Sequence, residues 1–213
     1  GDSFPFRPQD RGFDESVIHG GGGIGTTPDF WGNDYFDDTY FRNGLAEKFP
    51  GYGTDALFAE ALAFIEKNRD RPFYCQISTA APHDPFNVDE KYAAPYRGLV
   101  PDGTANFYGM IANIDENVER LAKRLDTLGL SENTILVFMT DNGSSGGWKA
   151  YNAGMRGNKG SAYEGGHRVP FFIRWPAGNI GPARDVPNLA SATDLLPTFV
   201  DLCELRLPRP VDF

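Results

Sequence analysis

The spacing of apolar and polar positions changes several times along this chain, and each change marks an element. Leu57, Phe58, Ala61, Leu62 and Ile65 recur at helical spacing behind Thr54, which predicts a helix with Thr54 as its N-cap. Arg71-Pro72 ends it, and Phe73-Tyr74-Cys75-Gln76-Ile77-Ser78 predicts a strand. A longer helix is predicted over 105–128. Its buried stripe is Ile111, Ile114, Val118, Leu121, Leu125 and Leu128, its wet face carries Glu116, Glu119, Arg120, Lys123 and Arg124, and Gly129 stops it. Two short apolar runs, 134–139 and 171–175, predict buried strands, and a last helix is predicted over 193–205. This alternation predicts an α/β fold.

The first fifty or so residues lack such periodicity. Glycine, aspartate and aromatic residues dominate them, with Gly20-Gly21-Gly22-Gly23-Ile24-Gly25 followed by Asp29-Phe30-Trp31-Gly32-Asn33-Asp34-Tyr35-Phe36-Asp37-Asp38. The expected organisation is an irregular excursion over 1–53 and an α/β portion over 54–213 of one domain. The glycine run lacks the Lys-Ser/Thr of a phosphate loop. Asp37-Asp38 is read as a solvated or turn pair rather than a metal site.

Charge and cysteine usage narrow the function. A formal net charge of −9 argues against nucleic acid, which needs a basic face to neutralise phosphates. No apolar run approaches the ~18 residues of a membrane span, and the polar, Pro-containing start is not a signal peptide. The two cysteines, Cys75 and Cys203, are too few for a disulfide framework and fit no zinc spacing; both read as buried free thiols.

Candidate chemistry gathers at Thr140-Asp141-Asn142-Gly143, directly after the 134–139 run. Ligands in open α/β sheets bind beyond the carboxyl ends of strands, so Asp141 and Asn142 can offer two hard oxygens to a cation there. The same tripeptide is also ordinary turn chemistry. The downstream segment separates these readings. It runs Gly157-Asn158-Lys159-Gly160-Ser161-Ala162-Tyr163-Glu164-Gly165-Gly166-His167-Arg168-Val169-Pro170, then Phe171-Phe172-Ile173-Arg174-Trp175-Pro176.

This ordered combination resembles the sulfatase family. So do Ala80-Ala81-Pro82-His83-Asp84-Pro85-Phe86, which looks like the family's histidine loop, and the opening Pro5-Phe6-Arg7-Pro8-Gln9-Asp10-Arg11-Gly12-Phe13-Asp14. The resemblance runs along nearly the whole chain and implies part of an alkaline-phosphatase-like, doubly wound, mostly parallel sheet flanked by helices. It implies Asp141 and Asn142 as metal ligands, for Ca²⁺ with Mg²⁺ as an alternative, and Lys159 and His83 as catalytic residues. Lys159 would bind a sulfate oxygen, and His83 would donate to the ester oxygen. Glu164 and Arg168 are read as scaffold tying the Lys159 loop to the sheet. Arg156 and Trp148 are candidates for shaping the pocket, and His167 falls at a variable position.

The family's Asp-Asp metal pair, Cys-x-Pro-x-Arg or Ser-x-Pro-x-Arg nucleophile motif and Lys-x-His pair are not found in their family setting in these 213 residues: Asp37-Asp38 is the pair read above as solvated or turn, and Ser3-Phe4-Pro5-Phe6-Arg7 spells the serine motif but overlaps the opening stretch that resembles the middle of the family's domain. The resemblance implies that they fall ahead of Gly1, where the motif's cysteine or serine would become formylglycine. The chain is then expected to be the later part of a catalytic domain, inactive alone and weak for metal. The implied activity of the parent is sulfuric ester hydrolysis on a carbohydrate, lipid or aryl sulfate, with a periplasmic or secreted location. A phosphate or phosphonate ester hydrolase of the same superfamily, and a non-catalytic binder of sulfated ligands, are the alternatives.

Overall fold

The structure is a computed structural model that describes residues 3–207. The chain forms two compact units, residues 1–179 and 180–213.

The first unit begins with a small antiparallel sheet rather than the irregular excursion expected over 1–53. Strands β1 (Val17–Ile18), β2 (Thr39–Arg42) and β3 (Leu45–Lys48) lie in that order, with Arg42 opposite Leu45 across the β2–β3 turn. That turn is Asn43-Gly44, with φ of 50° and 89°. Positive φ at both central residues matches the right-handed strand twist, which is why Asn-Gly is the strongest short hairpin signal. Beside the sheet, Ile24, Tyr35, Tyr40, Phe49, Tyr52, Ala81 and Met110 form one buried cluster. Asp38 lies inside this region and is 1% exposed, so it is not the solvated residue expected. Its carboxylate accepts from Asp34 N, Tyr35 N and the Tyr40 hydroxyl at 2.9–3.1 Å. Burial pushes the Asp38 carboxyl above its ordinary range, against the pull of these donors.

Helix α1 (Gly53–Asn68) is the first predicted helix, but Tyr52 occupies the N-cap position and Thr54 sits buried within the first turn. A four-residue helix, α2 (Glu90–Ala93), precedes α3 (Asp102–Thr127), the long predicted helix begun three residues early. Gly129, at φ 69°, closes α3: its N–H donates to Asp126 O and the Leu130 N–H to Leu125 O, the paired bonds of a Schellman turn. The expected stripe holds for Ile114, Val118, Leu121, Leu125 and Leu128, which pack in the two cores, while Ile111 is 42% exposed. The stripe is also wider than expected and partly polar: Ala105, Phe107, Met110, Asn113 and Asn117 are buried as well, and Asn113 and Asn117 both donate to Asp55 Oδ1 of α1, at 2.8 and 2.7 Å. Below them Phe58, Ile65, Leu121 and Leu125 make the second core.

Strand β4 (Leu136–Met139) pairs antiparallel with β5 (Phe171–Arg174), Met139 opposite Phe171, and a one-turn helix, α4 (Glu164–His167), lies between them in the chain. Both strands were expected to be buried. Instead β4 is half-buried, and Phe172 and Ile173 of β5 are 64% and 46% exposed, because the ladder has two strands and no described element covers its second face. The predicted strand over 73–78 is extended, but no described segment pairs with it. Its alternation survives: Phe73, Cys75 and Ile77 pack on the second core, while Tyr74, Gln76 and Ser78 form a hydrogen-bonded row on the other side. Burial there raises the Cys75 thiol pKa, and Cys203, expected buried, is exposed.

In the second unit, helix α5 (Leu195–Leu202) follows a turn in which Ser191 and Asp194 form a capping box, shorter than the helix expected over 193–205.

Candidate functional site: the loops beyond β4

The Asp141-Asn142 turn lies directly past the end of β4, as its sequence position implied. Gly143 fixes what it meets. Its N–H donates to Gly166 O at 2.9 Å, and a Cβ at Gly143 would overlap Gly165 O. Gly165 is equally confined, since a Cβ there would overlap Gly157 O. Backbone therefore lies against backbone, and only residues without side chains permit it. Gly165 and Gly166 are the buried residues of α4.

Lys159 is carried in the loop between these contacts. Its N–H donates to Ser144 O at 3.2 Å, two residues past Asn142. Gly165 N donates to Arg156 O, and Asn152 Nδ2 donates to both Met155 O and Gly157 O at 2.7 Å, closing the loop around its base. The Arg156 guanidinium stacks 3.6 Å from the Tyr163 ring centroid, joining the loop's two ends. Glu164 and Arg168 were expected to tie this loop to the sheet by ion pairs or backbone hydrogen bonds. The ion pair they make is with each other, at 3.4 Å on the surface beside Arg168 N to Glu164 O at 2.8 Å, and the loop meets the turn after β4 through main-chain bonds of Lys159 and Gly166 to Ser144 and Gly143. His167 is exposed, and Trp148 is half-buried with the Lys149 ammonium 5.6 Å from its ring.

Helix α3 joins this region to the histidine loop. Thr104 and Tyr108 donate to Gly146 O and Gly147 O, Asn106 donates to Phe86 O, and Phe86 packs edge-on against Phe107 beside Gly146. His83 lies three residues before Phe86, its backbone carbonyl accepting from the Tyr35 hydroxyl at 2.8 Å and its ring resting on Gly23. The Nδ1 atom is 2.8 Å from Asp84 O and 3.0 Å from Asp84 Oδ1. With two acceptors facing Nδ1, the proton sits there and Nε2 presents a lone pair; Nε2 donates only when the ring is charged.

The side chains of the four predicted residues are available. Asp141 and Lys159 are exposed, Asn142 is half-buried and the His83 side chain is 32% exposed. Among the described residues no hydrogen bond or ion pair engages the Asp141 carboxylate, the Asn142 amide or the Lys159 ammonium. Two hard oxygens at a strand end fit part of a Ca²⁺ sphere, which takes about 6–8. Among the described residues no group of three or more His, Cys, Asp or Glu is placed to hold a metal. Neither cysteine suits a formylglycine precursor: Cys75 is packed in the core and Cys203 lies at the carboxyl end of α5, and neither is followed by proline two residues on.

The sulfatase family model matches residues 4–205. The chain belongs to the sulfatase family. It is 30% identical over 210 residues to an uncharacterized sulfatase, YdeN, of Escherichia coli strain K12, covering 96% of this chain and 35% of that protein. It is 29% identical to an ulvan-active sulfatase of Formosa agariphila, over 86% of this chain and 40% of the relative. Among solved structures, Ps i-CgsB in complex with k-i-k-neocarrahexaose superposes with a TM-score of 0.86 at 29% identity, over 97% of this chain and 49% of that one. The architecture is thus that of the sulfatases, α/β and alkaline-phosphatase-like, and the chain spans about half or less of the length of these relatives. No described helix of this sulfatase-family chain is long and apolar enough to cross a membrane.

The pair Gly165-Gly166 and the glycine at 143 are the site residues that a search for reactive side chains passes over. Their signal is the run Glu-Gly-Gly itself, since consecutive glycines ahead of a strand mark close backbone approach.

Proposed function

We propose that this chain supplies the loops of a sulfuric ester hydrolase that hold the metal and the sulfate oxygens, acting in the whole enzyme on a sulfated carbohydrate. The observation that carries this reading is the bond from Lys159 N to Ser144 O, which in a sulfatase-family chain brings the backbone of the Lys159 loop to within two residues of Asn142. Asp141 and Asn142 would hold Ca²⁺, which would supply positive charge to a sulfuryl oxygen. Lys159 binds a second sulfuryl oxygen as a point charge and holds it in line. His83, oriented by Asp84, donates to the departing ester oxygen from Nε2 in its charged form. The carbohydrate assignment rests on the similarity to an ulvan-active sulfatase and to a carrahexaose complex. Such polymers are too large to cross a bilayer, which favours a periplasmic or secreted location.

The test is steady-state hydrolysis of a sulfated oligosaccharide by the full-length enzyme. Lys159→Ala is expected to lower kcat by about 10²–10³, as loss of one preorganised charge donor does. His83→Ala is expected to lower it by about 10²–10⁴. Asp141→Ala should weaken calcium affinity. Wild-type kinetics in all three variants would refute the assignment.

A further inference from the structure

We infer that Trp31, on the loop between Gly25 and Asn33, forms a subsite that stacks an unsulfated sugar ring next to the residue being desulfated. This rests on the sulfated-carbohydrate reading above and specifies which part of the chain meets the substrate beyond the ester. Trp31 is 97% exposed, the most exposed large aromatic side chain described, and its neighbour Phe30 is 42% exposed. An exposed indole pairs an apolar face with an N–H donor, which suits a sugar's C–H face and hydroxyls.

The loop that carries it is held. The Asp29 carboxylate accepts from Gly20 N at 3.1 Å, Gly25 N at 2.8 Å and Asn33 Nδ2 at 3.2 Å, and Asn33 in turn spans to Thr39 O at 2.9 Å. The same loop reaches the histidine segment. Gly23, whose carbonyl accepts from Thr26 N and Oγ1, lies against the His83 ring, so the loop and the donor to the ester oxygen belong to one packed surface. A hollow of about 310 Å³ lies in the loop, lined by residues 25–33, Thr26, Thr27, Asp29 and Trp31 among them. No lysine, arginine or histidine lines it, and its one ionisable group is an acid. A sulfate there would meet no cation and would face Asp29, whereas a neutral ring would meet hydroxyls and an indole face. The charge distribution therefore selects an unsulfated residue.

The experiment compares the full-length enzyme with Trp31→Ala and Trp31→Phe on a carrageenan-derived hexaose and on a small aryl sulfate. Loss of the stacking ring is expected to raise KM for the hexaose about three- to tenfold with kcat unchanged. Aryl sulfate kinetics should stay at the wild-type value, and Trp31→Phe should recover most of the loss. An equal effect on both substrates would show that Trp31 supports the fold or packs against another part of the enzyme, and no effect on either would show that the substrate does not reach it; both overturn the inference. Binding of a desulfated hexaose, read by titration calorimetry, separates this from the catalytic assignment. Binding lost in Trp31→Ala upholds the subsite even in an enzyme that cleaves no sulfate ester, and absence of binding to the wild type overturns it.

Discussion

Single residues set the approach of the two loops at the end of β4. Gly165 lies against Gly157 O so closely that a methyl group has no room. Gly165→Ala is expected to destabilise the protein by about 1–3 kcal/mol or more, the range for overpacking against atoms that cannot move aside. Hydrogen exchange should report it locally, as lost protection of the Gly143 N–H that donates to Gly166 O. Asp38 is the second such residue. Asp38→Asn keeps the shape but turns an amide NH₂ or a single carbonyl toward donors that two carboxylate oxygens now satisfy. The expected cost is about 1–3 kcal/mol by urea denaturation. Because burial raises this carboxyl's folded pKa, its contribution is fullest below the unfolded value and is lost as pH rises through the folded one. The advantage of the wild type over Asp38→Asn should therefore shrink as pH rises from about 4. The chemistry-bearing residues Asp141, Asn142, Lys159 and His83 could be picked out from motif alone. Asp38 could not, since an Asp-Asp pair in an aspartate-rich stretch carries no periodicity that distinguishes a buried acid from a wet one.

At the scale of elements, helix α3 does most of the joining. Its amino-terminal turns hold the histidine loop and the 146–147 segment, its middle meets α1 through amides, and its carboxyl half closes the second core. Asp55 Oδ1 accepts from both amides, and Asn117 Nδ2 also donates to Asn113 O at 2.9 Å, so Asp55→Ala strands the Asn113 amide while Asn117 keeps an acceptor. A loss of about 1–3 kcal/mol is expected from the unsatisfied group, with Asp55→Asn milder, checked by urea denaturation. Helical period alone located α1, α3 and α5 and placed Gly129 as a stop. The apolar part of the α3 stripe was readable from Ile114 to Leu128, but its buried amides were not, because Asn113 and Asn117 score as polar in any pattern while their partner Asp55 lies 58 and 62 residues away. The β2–β3 hairpin was readable from Asn43-Gly44, whose positive φ values only this turn type demands.

The candidate site offers one ammonium, on Lys159, and two oxygen donors, on Asp141 and Asn142. Two ligands of the 6–8 that calcium takes make a weak site. The 213-residue chain alone is expected to bind Ca²⁺ no tighter than about millimolar in calorimetry and to hydrolyse no sulfate ester. Tight binding or turnover by that chain would show that the described loops suffice. By itself the sequence determined the family and the three longer helices and named the candidate site residues, because these depend on local period and on ordered short motifs. Which residues meet was decided by the tertiary structure. Lys159 reaches the Asp141-Asn142 turn through main-chain bonds, and Glu164 and Arg168, which carry the charges, take no part in that tie. Backbone groups are the same in every residue, so bonds between them leave no trace in a sequence except the glycines that let two chains come close.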